Sequence, residues 1–208
     1  MSQKNKIILL IIFTLIFLTI SLFVVFQNQN LLNLDKNIQT YTENLHSPFL
    51  DSIMLSATKL GNTYEALLIY LVFAILLVVK KKKNSFYIFT IATSLGISLS
   101  SLLKIVFERV RPLGGLIEES TFSFPSNHAT ISIIFILSAL FLLVPVMKNN
   151  FPKLAFSIIT VILFSLVALS RIYLSVHWTS DVIAGLILGT ICFLVSSVIC
   201  CHKKENML

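Results

Sequence analysis

The chain has 208 residues, 56% of them hydrophobic and only 12% charged, with a mean hydropathy of +0.92 and a formal net charge of +7. Soluble domains carry roughly twice that share of charge. A water-soluble domain, a disordered chain, a collagen and a disulfide-stapled scaffold are therefore excluded, and an all-α polytopic membrane protein is left. The positive balance is then a matter of membrane orientation rather than of nucleic acid binding. Cys192, Cys200 and Cys201 form no Cys-x-x-Cys pair, so neither a structural zinc site nor a disulfide framework is indicated.

Six segments reach the length of about 20 apolar residues that crossing a bilayer requires. They are Ile7–Phe26, Thr63–Val79, Ser85–Phe107, His128–Met147, Leu154–Tyr173 and Asp181–Cys200, with the second the shortest. The first follows Lys4 and Lys6 but is too long for a signal peptide and lacks a small-residue cleavage site, so it reads as a retained helix. Between the first two spans lies a long loop, Gln27 to Asn62. Within it Leu31, Leu34, Ile38, Tyr41, Leu45, Phe49 and Ile53 recur at spacings of three and four. That pattern predicts an amphipathic helix, kinked or broken in its second half by Pro48. It serves either as a cover packed on the bundle or as an interfacial element beside a lipid-facing site. The residues 1–208 form one membrane domain.

Charge alternates along the connections. Lys4, Lys6, Lys80 to Lys83, Lys148, Lys153, Lys203 and Lys204 share one side with the single acid Glu205, whereas eight acids and six basic residues share the other. The expectation is a multi-pass protein of the cell membrane with both termini cytoplasmic. Lys104, Arg109, Arg111 and Arg171 stand at span edges on the outer side, where a charge asks for a functional reason.

Three polar clusters fall on that side. In the first, Lys104 and Arg111 are seven residues apart, a spacing that places them on one helix face until Pro112 ends the helix; they either snorkel or bind an anion. Between them Glu108 and Arg109 read as a local ion pair. The second, Pro125-Ser126-Asn127-His128, opens an apolar run. It is either a plain helix start or an anion site with a proton donor beside it. The third runs from Ser170 and Arg171 to His177 and Asp181, the last two four residues apart. On one helix face Asp181 would fix the tautomer of His177 and leave its other nitrogen free. The alternative is an internally paired structural cluster. With Asp181 taken up by His177, and Glu118 and Glu119 lacking a partner His, no metal set is apparent. Trp178 and Tyr173 are belt aromatics or walls of a lipid path.

In order and spacing, Lys104-x6-Arg111-Pro112, Pro125-Ser126-Asn127-His128 and Ser170-Arg171-x5-His177-x3-Asp181 resemble the three signature motifs of the type 2 phosphatidic acid phosphatase superfamily. The motifs cover residues 104–181; the spans resemble the family's integral membrane branch in number and sidedness. One position departs: Asn127 stands where the family usually has Gly. The resemblance implies an outward-facing site in which His177 attacks phosphorus, Asp181 orients His177, and His128 protonates the leaving group and then activates water. It further implies that Lys104, Arg111, Ser126, Asn127 and Arg171 hold the phosphate oxygens. Three cations and a helix start supply the charge stabilisation that phosphoryl transfer needs, so no cofactor is expected. The expected substrate is a lipid phosphate: phosphatidylglycerol phosphate, phosphatidic acid, or undecaprenyl pyrophosphate or phosphate. A Lys-, Asn- and Ile-rich chain leans this towards a bacterial cell envelope enzyme. A lipid-phosphate or anion transporter, and a phosphotransferase using the same site, are the alternatives. A carrier has no need of a nucleophile with its orienter.

Overall fold

The computed structural model describes residues 2–205, with side chains described as far as Cys200; the side chains of Cys201, Lys203, Lys204 and Glu205 fall outside it. No strand occurs among the described residues. Helix α1 (Gln3–Val25) is capped by the Ser2 hydroxyl. The loop that follows holds two helices, α2 (Gln29–Glu43) and α3 (Pro48–Lys59), capped by the Asn28 and Ser47 side chains. Pro48 does not kink a continuous helix. It occupies the first turn of α3, where its missing N–H is not needed. Helices α4 (Thr63–Val79) and α5 (Lys83–Phe107) follow, and α6 (Asn127–Ser138) runs on through a π turn (Ala139–Leu143) and a 3-10 turn (Val144–Val146). Helices α7 (Asn150–Tyr173) and α8 (Thr179–Glu205) complete the chain.

Five of these elements are individually long and apolar enough to cross a membrane: α1, α5, α6 with its extension, α7 and α8. The short second span, α4, reaches that length only together with α3, across a 59° bend. The protein is thus an all-helical, multi-pass membrane protein, with five such helices among the described residues, or six counting the bent pair. Its exterior fits that setting. Ile11, Leu15 and Leu22 of α1, and Leu68, Val72 and Ile75 of α4, are exposed, a surface too apolar for water.

Helix α8 lies at the centre, against α1, α5, α6 and α7. Its approach to α6 needs residues without side chains: a Cβ on Gly185 would stand 2.5 Å from the Ser126 carbonyl, and one on Gly189 2.4 Å from that of Thr130. Small residues at such crossings let helix backbones touch in a bilayer. Elsewhere the core is aromatic, with Phe135 centred 5.6 Å from Phe73, 5.7 Å from Phe89 and 5.1 Å from Phe164. At one end of the bundle α5 and α7 finish and α6 and α8 begin. The Ser126 N–H donates to the Asp181 carbonyl there at 3.0 Å, which ties the starts of α6 and α8 together.

Two expectations drawn from helical spacing are corrected here. Helix α5 ends at Phe107, not at Pro112, because Glu108 turns left-handed at φ 44°. Arg111 is therefore in a loop and shares no helix face with Lys104. Likewise α8 begins at Thr179, so His177 precedes it and is not on the helix that carries Asp181.

Candidate active site

All three sequence clusters nevertheless meet at this end of the bundle, through tertiary folding rather than periodicity. A cavity of about 680 Å³ is lined by Lys104, Arg111, Asn127, His128, Arg171 and His177. It continues past apolar side chains of α4, α5 and α6, among them Leu67, Ile97, Ile131 and Phe135. One wall carries the cations with Glu119 among them, and the remainder is mainly apolar, with Tyr70, Thr93 and Ser94 among its polar points.

Each polar side chain is held by its surroundings. Lys104, on the last turn of α5, is buried and donates from Nζ to the Phe122 carbonyl at 2.5 Å and to that of Ser123 at 3.4 Å. Arg111 donates from Nε to the Thr121 carbonyl (2.6 Å) and from Nη1 to the Val176 carbonyl (2.6 Å), and reaches His177 Nε2 at 3.2 Å. Arg171, the largest fully buried side chain, donates from Nη1 to the Thr58 hydroxyl at 2.6 Å and pairs through Nη2 with Glu119. Its Nε–H is buried without a partner, a donor left for something that enters the cavity.

Ser126 is the N-cap of α6, and its hydroxyl faces the Ala129 N–H at 3.5 Å. The first hydrogen bond of the helix ladder runs from the Thr130 N–H to the Ser126 carbonyl at 3.0 Å, so the N–H groups of Asn127 and His128 precede it. Asn127 occupies the first helical turn and is not among the residues with positive φ. No glycine-like backbone is required there, and the Asn for Gly exchange brings no strain. Its Oδ1 is buried without a partner. His128 Nε2 faces Asn62 Oδ1 at 3.3 Å.

His177 is held by its own N–H, which donates to the Arg171 carbonyl at 3.1 Å, and by the left-handed turn at Ser175 (φ 52°). An arginine only donates hydrogen bonds. In the contact at Nε2 that atom is therefore the acceptor, and Nδ1 is buried without a hydrogen bond, 3.5 Å from Asp181 Oδ2. The imidazole is held well below its usual range by burial, and next by the cations Lys104, Arg111 and Arg171. Its Nε2 is turned to the cationic wall.

Three sequence readings change. Asp181 is not given over to His177: its Oδ1 accepts from Arg109 at 2.5 Å and its Oδ2 from the Trp178 N–H at 2.9 Å. Arg109 does not pair with Glu108 but bridges Asp181 and Asp35. Glu119 is not idle in its loop; it pairs with Arg171 and lies 3.8 Å from Arg111. Tyr173 and Trp178 do not line this cavity. The Tyr173 hydroxyl donates to Asp51 at 2.7 Å, and the Trp178 ring covers the Arg109 guanidinium. Sequence reasoning missed Asp35, Thr58, Asn62 and Glu119, for which only their polarity was visible. Among the described residues no three His, Cys, Asp or Glu side chains come together as a metal site.

Comparison with known proteins adds an independent line. The profile of the PAP2 superfamily matches residues 83–204. Phosphatidylglycerophosphatase B of Bacillus subtilis (strain 168) is 30% identical over 151 residues, 72% of this chain and 74% of that protein. An undecaprenyl-diphosphatase of Sulfolobus acidocaldarius is 31% identical over 148 residues, 68% of this chain and 66% of that protein. Among solved structures, a transmembrane PAP2-type phosphatidylglycerolphosphate phosphatase from Bacillus subtilis superposes with a TM-score of 0.80 at 26% identity, covering 96% of this chain and 97% of that one. LpxE of Aquifex aeolicus shares the fold at a TM-score of 0.59 and 23% identity, over 77% of this chain and 93% of its own.

Proposed function

The chain belongs to the PAP2 superfamily, and from that footing we propose that this membrane phosphatase hydrolyses the phosphate or pyrophosphate headgroup of a lipid through a phosphohistidine on His177. The substrate class is the one its relatives' names carry, a phosphatidylglycerol phosphate or polyprenyl diphosphate, with phosphatidic acid beside them. What supports this reading is one observation: a cavity with three buried or half-buried cations, Glu119 and two histidines among its lining, and mainly apolar helix faces beyond them. A headgroup fits the first and acyl or prenyl chains the second.

In this mechanism Lys104, Arg111 and Arg171 take the equatorial phosphate oxygens, Arg by paired contacts and Lys as a point charge. The Asn127 N–H, at the positive end of α6, adds to them, with Ser126 capping that helix start. His177 Nε2 attacks phosphorus, and the bond to the leaving oxygen breaks as His128 delivers a proton to it. Asp181 keeps the Nδ1 proton in place and balances the positive charge that grows on the ring. His128 then takes a proton from water, whose oxygen attacks phosphorus and breaks the P–N bond. Positioning and charge suffice for this chemistry, so the enzyme works without a metal. The ten-to-six division of basic residues supports both termini in the cytoplasm and the cavity on the outer side of the cell membrane.

The test is phosphate release from a panel of lipid phosphates by the purified protein in detergent with excess EDTA, joined to rapid-quench trapping of phosphohistidine. Turnover in EDTA that His177→Ala abolishes is expected. Turnover that needs added magnesium or zinc, or a phosphohistidine that forms without His177, overturns the proposal.

A further inference from the structure

Asp181 does not face His177 alone. It is fully buried, and so is Asp35 on α2 (0% and 1% exposed). Arg109 stands between them. Its Nη1 donates to Asp181 Oδ1 at 2.5 Å and to the Ser180 hydroxyl at 2.7 Å, and its Nη2 donates to Asp35 Oδ2 at 2.7 Å. Asp35 in turn accepts from the Ser180 N–H at 2.9 Å and the Ser180 hydroxyl at 2.6 Å, so α2 is locked onto the first turn of α8. The Trp178 ring lies 5.7 Å from the guanidinium carbon, and its Nε1–H donates to the Val110 carbonyl at 2.8 Å. Arg109 does not line the cavity that holds the two histidines, but it lines an adjoining one with Lys104 and Arg111. Both its terminal nitrogens are already engaged by carboxylates.

We propose that Arg109 and Asp35 are positioning residues for Asp181, Arg109 fixing the carboxylate's orientation and Asp35 preserving its net charge; this rests on the reading of His177 as nucleophile. The geometry accounts for the first part. With Oδ1 held by Arg109 and Oδ2 by the Trp178 N–H, the plane of the carboxylate is set and Oδ2 is left facing His177 Nδ1. Charge accounts for the second. Arg109 alone would neutralise Asp181, and a neutral pair does little for a ring becoming cationic. Asp35 returns one negative charge to the group, which the His177 cation then balances. A buried carboxylate without such partners is strongly disfavoured.

The experiment is a double-mutant cycle read as separate kcat and KM for phosphatidic acid in detergent micelles, using the full chain. Arg109→Met should lower kcat by about 10²-fold, the scale for a misplaced catalytic group, with KM within about threefold. Arg109→Lys should recover about tenfold of that loss, since a point charge replaces one arm of the fork. Asp35→Asn should lower kcat by about tenfold. In an Asp181→Asn background either change should cost less than about threefold more, because residues acting through one group are not additive. Should Arg109→Met fail to fold by gel filtration, Asp35→Asn alone and with Asp181→Asn carries the same cycle. Equal losses in both backgrounds, or a raised KM at unchanged kcat, overturn the inference. If His177→Ala still turns over, the nucleophile reading falls and takes this inference with it; if His177→Ala is dead and the cycle is additive, only this inference falls.

Discussion

Gly61, in the turn between α3 and α4, offers a test of His128 that leaves its chemistry in place. A Cβ built on Gly61 would lie 2.3 Å from His128 Cδ2, 3.0 Å from its Cγ and 3.0 Å from Val167 Cγ1. Its backbone is not left-handed, so alanine meets no conformational penalty. Val167 blocks retreat on one side, and the imidazole is the group that must yield. Restoring ordinary contact moves the ring by about 1 Å, enough to cost on the order of 10²-fold in rate for a positioned group, or about 2.7 kcal/mol of barrier. The packing cost, about 1–3 kcal/mol for an added methyl, leaves a folded protein. Gly61→Ala should therefore keep its thermal midpoint in detergent within about ten degrees and lose about 10²-fold in kcat on a lipid phosphate. An aryl phosphate with a good leaving group needs no proton for its departure. Its burst of phenolate in the first turnover should fall less than tenfold while its steady-state rate falls with the lipid's. The phosphohistidine should accumulate in quenched samples. A wild-type kcat on the lipid, or a burst lost as completely as steady-state turnover, would show that His128 does not act where its contact with Gly61 places it.

Other predictions follow from the same geometry. Burial and three cations depress the His177 imidazole, so the acid limb of the kcat/KM profile should lie below pH 6.5, where a free histidine would already be protonated. Arg111→Gln removes a cation that disfavours imidazolium, so the limb should move to higher pH; an unmoved limb would mean that another group sets it. Asn127→Gly keeps the backbone N–H but removes a side chain that lines the cavity. It should retain activity and change the ranking of lipid phosphates, and an identical ranking across the panel would contradict this. In a cysteine-free background, a cysteine at position 118 should be labelled from outside intact cells and one at position 82 should not; labelling of position 82 would invert the proposed orientation.

Much of the site was legible because its residues are out of place. Lys104, Arg171, His128, His177 and Asp181 interrupt or border apolar runs, and a charge there has few innocent explanations. Their spacing was a poorer guide than their identity. A seven-residue interval suggested one helix face for Lys104 and Arg111, yet Glu108 leaves the helix in a left-handed turn, and Arg111 reaches the cavity from a loop. An interval of four suggested one helix for His177 and Asp181, yet the chain turns at Ser175 before α8 begins. Asp35, Thr58, Asn62 and Glu119 carry no local mark. Each is a polar residue on an amphipathic helix or in a loop, as many solvated residues are, and only tertiary packing gives them partners: that of α2 and α3 on the bundle for Asp35 and Thr58, and the approach of the loop before α6 to Arg171 for Glu119.

That packing bears on why the site lies where helices end. A helix in hydrocarbon satisfies its own backbone and offers none of it to a substrate; free N–H groups exist only at its start, and loop carbonyls only beyond its end. Lys104, Arg111 and Asn127 all sit at such junctions. Polar side chains there still have to be held in place with little water to hold them. The loop helices meet that need, each through a buried contact: Thr58 of α3 with Arg171, and Asp35 of α2 with Arg109 and Ser180. Helices α2 and α3 are therefore parts of the site's framework as well as its cover. Disturbing either should reach the proposed chemistry through Arg171 or Asp181 without altering either of those side chains.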